Sequence, residues 1–244
     1  MTPRASTFAG WLLRQPLRLV PAMTPLRILG GPLAGRRWLS TSANHGCWLG
    51  TYERQLQQLL VRTLKSGDVF YDVGANVGFF SLLGSVLVGP AGRVVAFEPL
   101  PRNIELLRAN LGLNGVANVA IVDAAVAETP GTTLLAVGGS PSMGSINAAR
   151  GIEVRVVGLD DLVAKGEIPL PSAIKMDIEG AESRALSGAR KTLEAQRPTI
   201  FLSTHGYRQH DECLRILEAM GYHVRVWRDG TVDGQYESVA TAAR

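Results

Sequence analysis

The residues best suited to do chemistry fall in three places. Asp72-Val-Gly74-Ala75-Asn76-Val-Gly78 stands between an apolar run and a second apolar stretch. Glycines there let the backbone turn tightly and approach a ligand, and a following helix offers unpaired N–H groups. Glu98 closes the next apolar run, 20 residues after Gly78. A carboxylate in that location can accept hydrogen bonds from ribose hydroxyls. Further on, Asp177 and Glu179 close a third run (IKMDIEG) and His205 a fourth (STHG). Two carboxylates and an imidazole at the carboxyl ends of neighbouring strands can take a proton from an acceptor. The same set suits a divalent cation, although no ligand-spaced cluster demands one. Lys175 alternates onto the face of Asp177 and is expected to be its internal ion-pair partner.

The glycine turn departs from the dinucleotide pattern. Starting at Gly74, G-x-G-x-x-G calls for glycine at positions 76 and 79, where this chain has Asn76 and Phe79. Bulkier groups leave less room for a pyrophosphate, and Asp72 would repel it. A nucleoside carrying a cation, such as a sulfonium, fits better. A nicotinamide-dependent oxidoreductase and a non-catalytic cofactor-binding module are the alternatives. Intact Asp177, Glu179 and His205 argue against the second.

These residues need a frame of alternating elements. Strands are expected over 68–73, 93–99, 117–126, 173–178, 198–204, 222–229 and 238–243. Helices are expected over 51–65, from 78 onward, and over 104–111, 160–164, 182–196 and 211–220, with Asn103 a possible N-cap. The alternation predicts an α/β fold: a doubly wound, Rossmann-like, mostly parallel seven-stranded sheet with helices on both faces. The last strand follows its predecessor without a helix and should pair antiparallel. An added strand pair, 132–138 and 152–159, flanks a Gly/Ser-rich loop that suits an acceptor-side lid, and 26–39 has the pieces of a hairpin.

Three of these segments, DVGANVGFFSL, FEPLPRNIELLRANLGLN and IKMDIEGAE, occur in this order and resemble the FkbM-type family of S-adenosylmethionine-dependent methyltransferases over roughly residues 48–206. The resemblance implies a class I methyltransferase with strand order 3-2-1-4-5-7-6 and S-adenosyl-L-methionine as cofactor. It implies that Asp72, Gly74, Ala75, Asn76 and Gly78 line the methionine moiety, that Glu98 takes the ribose, and that Asp123 and Ala124 border the adenine. The upstream WLGTYE resembles the family's entry segment, where Tyr52 and Glu53 would close over the cofactor. Family members commonly methylate sugars or secondary metabolites, so a hydroxyl on a glycan, glycolipid or small molecule is the expected acceptor. The family often carries an acid two residues before the histidine, where this chain has Ser203.

Composition bounds the remainder. The chain has 244 residues, 46% hydrophobic and 19% charged, enough apolar material for a full core. Cys47 and Cys213 are too few for a disulfide framework or a four-thiolate zinc site. Residues 1–52 hold Arg4, Arg14, Arg18, Arg27, Arg36 and Arg37 and no acid, while the whole chain is +4. The positive charge therefore sits in the leading segment rather than on a folded face, which speaks against a nucleic-acid partner. The expected organisation is a basic N-terminal extension (1–50) followed by the methyltransferase domain (51–244). A cytoplasmic location is expected, with peripheral membrane contact through Trp11, Leu12, Leu13, Leu17, Leu19 and Val20 among the arginines.

Overall fold

A computed structural model describes residues 20–137, 144–146, 151–230 and 234–242. Residues 11–19 of the leading segment and most of the expected 138–147 lid lie outside them. Along the chain, β1 (Pro25–Arg27) and β2 (Arg37–Leu39) precede the helices α1 (Gly46–Leu49) and α2 (Arg54–Thr63). Then come β3 (Val69–Val73), α3 (Phe79–Val88), β4 (Arg93–Phe97), α4 (Pro101–Gly112), β5 (Val119–Val122) and β6 (Ala125–Val126). They are followed by β7 (Gly131–Val137), β8 (Gly144–Ile146), β9 (Ile152–Val157), α5 (Leu159–Ala164) and β10 (Ala173–Met176). The chain continues through α6 (Glu182–Ser187), α7 (Arg190–Gln196), β11 (Thr199–His205), α8 (Tyr207–Ala219), β12 (Tyr222–Asp229) and β13 (Gln235–Ala242).

Seven strands form the main sheet in the order β5-β4-β3-β10-β11-β13-β12. Only β13 runs antiparallel to its neighbours β11 and β12; the other pairs are parallel. Numbering these seven strands along the chain gives 3-2-1-4-5-7-6, the class I methyltransferase order. The strands are apolar on both faces because helices cover both. One face buries Phe70, Val94, Ala96, Ala173, Phe201 and Val239 against α3 and α2. Ile28, Leu33, Trp38 and Trp48 from the first fifty residues join that same cluster. The other face buries Tyr71, Val95, Ile174, Ile200 and Ala240 against α5 to α8. Among the described residues no helix is long and apolar enough to cross a membrane.

Four local expectations need correction. The strand expected over 117–126 breaks after Val122: the Ala124 N–H turns back onto the Val122 carbonyl at 2.9 Å. β6 beyond the break pairs with β9 in a separate four-stranded sheet. The helix expected over 182–196 is two helices. The Asp160 carboxylate from α5 accepts the Lys191 and Thr192 N–H groups at 2.9 and 2.8 Å, and so caps a fresh start at α7. Asn103 is not an N-cap: α4 begins earlier, at Pro101, and the Asn103 amide is turned inward. The helix expected from 211 begins at Tyr207.

Candidate active site

The site lies beyond the carboxyl ends of β3, β4 and β10, where open α/β sheets bind their ligands. Parallel pairing sets Lys175 directly beside Asp72, so both side chains emerge on one face. The Lys175 ammonium sits 3.5 Å from Asp72 Oδ1 and 3.9 Å from Asp177 Oδ2, and donates to the Gly74 carbonyl at 2.8 Å. Asp72 is fully buried, and its other oxygen accepts the Ser81 hydroxyl of α3 at 2.6 Å. Desolvation would drive the ammonium toward neutrality. Asp72, Asp177 and Glu53 outweigh it and hold the Lys175 pKa above the usual lysine value.

The glycine turn is pinned to the end of β4. Gly74 and Ala75 both donate to the Phe97 carbonyl, at 3.1 and 2.9 Å. The Asn76 N–H donates to Glu98 Oε2 at 2.8 Å, while Glu98 Oε1 accepts the Leu100 N–H at 3.0 Å and the Asn103 amide at 3.1 Å. Burial raises the Glu98 carboxyl above the ordinary range, against the pull of these three donors and of Lys175. A carboxylate offers about four acceptor positions, so about one remains for a ribose hydroxyl. The arrangement also bears on ligand charge. The N–H group that would hold a phosphate at a dinucleotide turn is here held by a carboxylate.

At the end of β10 the chain folds into a second tight loop. Buried Glu182 accepts the Ile178 N–H at 3.1 Å and the Gly180 N–H at the same distance, drawing the loop around itself. Glu179 at its tip takes a left-handed conformation, φ 54°. Asn76 (φ 51°) and Glu53 (φ 40°) are strained in the same way, so among the described residues three of the five non-glycine residues with positive φ lie at or beside this site. Glu179 Oε2 stands 3.6 Å from His205 Nε2. His205 Nδ1 is buried and makes no hydrogen bond. One donor atom from each of Asp177, Glu179 and His205 falls within 4.8 Å of the others. That spacing suits three ligands of one divalent cation. Burial pushes the Glu179 carboxyl above the normal carboxylate range, although His205 pulls it back.

A cavity of about 490 Å³ joins these features. Tyr52, Gly74, Ala75, Asn76, Glu98, Ala124, Asp177 and Glu179 line it. Asp72, Gly78, Glu53, Asp123 and His205 do not. Asp72 lies beneath the wall, Gly78 caps α3 against Leu107, and His205 stands behind Glu179. Asp123 is exposed, and its carbonyl accepts the Arg155 guanidinium at 3.3 Å. The cavity also draws on residues that sequence reasoning did not single out for the site: Asn103, Phe80, Cys47 and the polar run Thr41–Asn44. Burial pushes the Cys47 thiol up to about 12, so it remains protonated near neutral pH. Tyr52 stacks edge-on against Phe79, ring centroids 5.2 Å apart. With four carboxylates in or under the wall and one buried ammonium, the residues fit a nucleoside cation and disfavour a diphosphate.

Comparison with known proteins supports this view. Residues 72–224 match the model of the methyltransferase FkbM domain. A hexuronic acid methyltransferase, AglP, from Haloferax volcanii is 29% identical over 59% of this chain and 59% of its own. A 31-O-demethyl-FK506 methyltransferase, FkbM, from Streptomyces tacrolimicus is 31% identical over 51% of this chain and 60% of its own. The chain thus spans about three-fifths of the length of these curated relatives. The crystal structure of an FkbM methyltransferase from Methylobacillus flagellatus superposes with a TM-score of 0.51 at 18% identity, covering 81% of this chain and 55% of that one. A precorrin-6y C5,15-methyltransferase from Geobacter metallireducens gives 0.54 at 20% identity, covering 79% and 90%. At these identities the two structures speak for the fold.

Proposed function

Because this chain belongs to the FkbM family of methyltransferases and uses S-adenosylmethionine, we propose that it methylates a hydroxyl oxygen on a sugar or a sugar-bearing metabolite. The cofactor supplies a methyl group already activated on a cationic sulfur, so the protein's tasks are alignment and removal of the acceptor proton. The observation that carries the reading is the Glu179–His205 pair, 3.6 Å apart, with Glu179 in the cavity wall and His205 behind it. A carboxylate acceptor would need no base, whereas a hydroxyl acceptor does. The name of the 31-O-demethyl-FK506 methyltransferase implies an oxygen acceptor, while a hexuronic acid, named for the other relative, offers both hydroxyls and a carboxylate.

In this reading Glu98 accepts a ribose hydroxyl, Asn76 and Ala75 face the amino-acid part, and Ala124 and Leu100 wall the base. The acceptor hydroxyl rests against Asp177 and Glu179. Asp177, paired with Lys175, stays a fixed acceptor that orients the hydroxyl. Glu179, whose carboxyl burial raises, takes the proton, and His205 takes it on from there. The nicotinamide alternative finds no support, since Glu98 occupies the N–H group that a pyrophosphate would need.

The test is methyl transfer from tritiated S-adenosylmethionine to glycan, glycolipid, small-molecule and protein pools. Label in a base-stable ether on a sugar is expected, with uronic-acid glycans the first to examine. Label in a base-labile ester would point to a carboxylate acceptor and overturn the base assignment. Label in protein would overturn the substrate class.

A further inference from the structure

Behind the cavity wall lies a second group of acids. A narrow crevice is lined by Glu53, Lys175, Asp177, Ser203 and Glu237, and Lys175 and Asp177 also line the main cavity. Glu237 comes from β13, which contributes nothing else to the site. Antiparallel register sets it opposite Ser203, so both point to the face that carries Lys175. Glu237 is buried, 6% exposed. It accepts the Gln235 amide at 3.0 Å and lies 3.5 Å from the Ser203 hydroxyl and 3.9 Å from the Arg228 guanidinium. Arg228 is 43% exposed, so water screens it.

Asp72, Asp177, Glu53 and Glu237 therefore surround one buried ammonium. Removing that much negative charge from water is costly unless protons or a cation answer it. Burial, with the charges of Glu53 and Asp177 added, pushes the Glu237 carboxyl up to about 8. Burial also raises Glu53. Lys175 remains an ammonium throughout, since its pKa is raised.

We propose that Glu237, with Glu53, is a counter-charge under the cavity that makes the site prefer the cationic sulfonium cofactor to its neutral thioether product. The proposal rests on the use of S-adenosylmethionine. Cofactor and product share adenosine, amino group and carboxylate, and differ by one methyl and one positive charge. Contacts to the shared groups cancel in the ratio of their affinities, and what remains reports the field at sulfur. Near neutral pH Glu237 holds a proton that a bound cation must expel. Above about pH 8 the carboxylate is free and the field is complete. The groups facing Glu237 are Glu53 from the start of α2, Lys175 and Asp177 from the end of β10, and Arg228 from β12. Glu53 titrates in the same sense, and Lys175 stays charged. The device would favour product release, because the site loses its attraction once the positive charge has gone.

The experiment is calorimetric titration of the unmodified protein with S-adenosylmethionine and, separately, S-adenosylhomocysteine, from pH 6 to 9 in two buffers of different ionisation enthalpy. The affinity ratio is expected to rise roughly tenfold across that range, with protons released by the cation alone. In Glu237→Gln most of the rise should vanish while product affinity stays within about twofold. A ratio that stays flat in the unmodified protein overturns the proposal, as does a variant that weakens both ligands equally. Failure of either ligand to bind would instead remove the cofactor assignment, and this proposal with it.

Discussion

Glu179→Gln should lower kcat by roughly 10²–10⁴-fold, the usual worth of a positioned general base, and leave cofactor affinity nearly unchanged. Glutamine keeps the size and one acceptor oxygen but cannot take a proton. The sign of the pH dependence follows from burial. Glu179 accepts a proton only when ionised, and its pKa is raised. Activity of the unmodified protein should therefore fall as pH drops through a point above the ordinary glutamate range, and the variant should lack that limb. His205 lowers the Glu179 pKa, so His205→Ala should move the limb to higher pH as well as slow the reaction. A limb unmoved by His205→Ala would separate the two residues. Unchanged kcat in Glu179→Gln would pass the role of base to Asp177.

Gly74→Ala should be the most destabilising single change at the site. Gly74 adopts φ +80°, and a Cβ there would lie 2.0 Å from the Asp177 carbonyl oxygen and 3.0 Å from Ile178 Cγ2. Neither obstacle is a flexible chain end that can swing aside. The ends of β3 and β10 would have to part, taking the Lys175–Gly74 hydrogen bond and the wall of the cavity with them. A loss of about 4 kcal/mol or more is expected, a fall in Tm of at least about 10 °C for a chain of this size. Gly115→Ala supplies the control. Its φ is +63° with nothing within 4 Å of the added Cβ, so only the backbone penalty of about 1 kcal/mol applies. Equal Tm losses in the two variants would mean that left-handed strain, not the close approach of the strands, makes Gly74 necessary.

What was legible in the sequence shared one property, dependence on near neighbours. The apolar runs of β3, β4, β10 and β11, the glycine turn and the closing acid Glu98 are local patterns, and they lead to the parallel sheet and its ligand end. The breaks were hidden because distant partners make them. Nothing in 182–196 reveals that Asp160, 31 residues before Lys191, caps a second helix there. Asn103 has the right residue type for an N-cap, but Pro101 begins the helix and Glu98 claims its amide. Asp123 reads as the acid closing a third strand, yet the turn at Ala124 leaves it exposed and away from the cavity. Glu237 reads as an ordinary charge before a short apolar run. Only the register of β13 on β11 shows that it reaches the acids under Lys175.

Cofactor binding in this site requires Glu98 to hold a nucleoside at the end of β4. The most direct measurement is the dissociation constant of S-adenosylhomocysteine, by calorimetry, for the unmodified protein and for Glu98→Ala, with circular dichroism to confirm the fold. Loss of one charge-assisted ribose hydrogen bond, together with release of the Asn76 turn, should weaken binding roughly tenfold to a hundredfold. An affinity the same in both proteins would contradict the account.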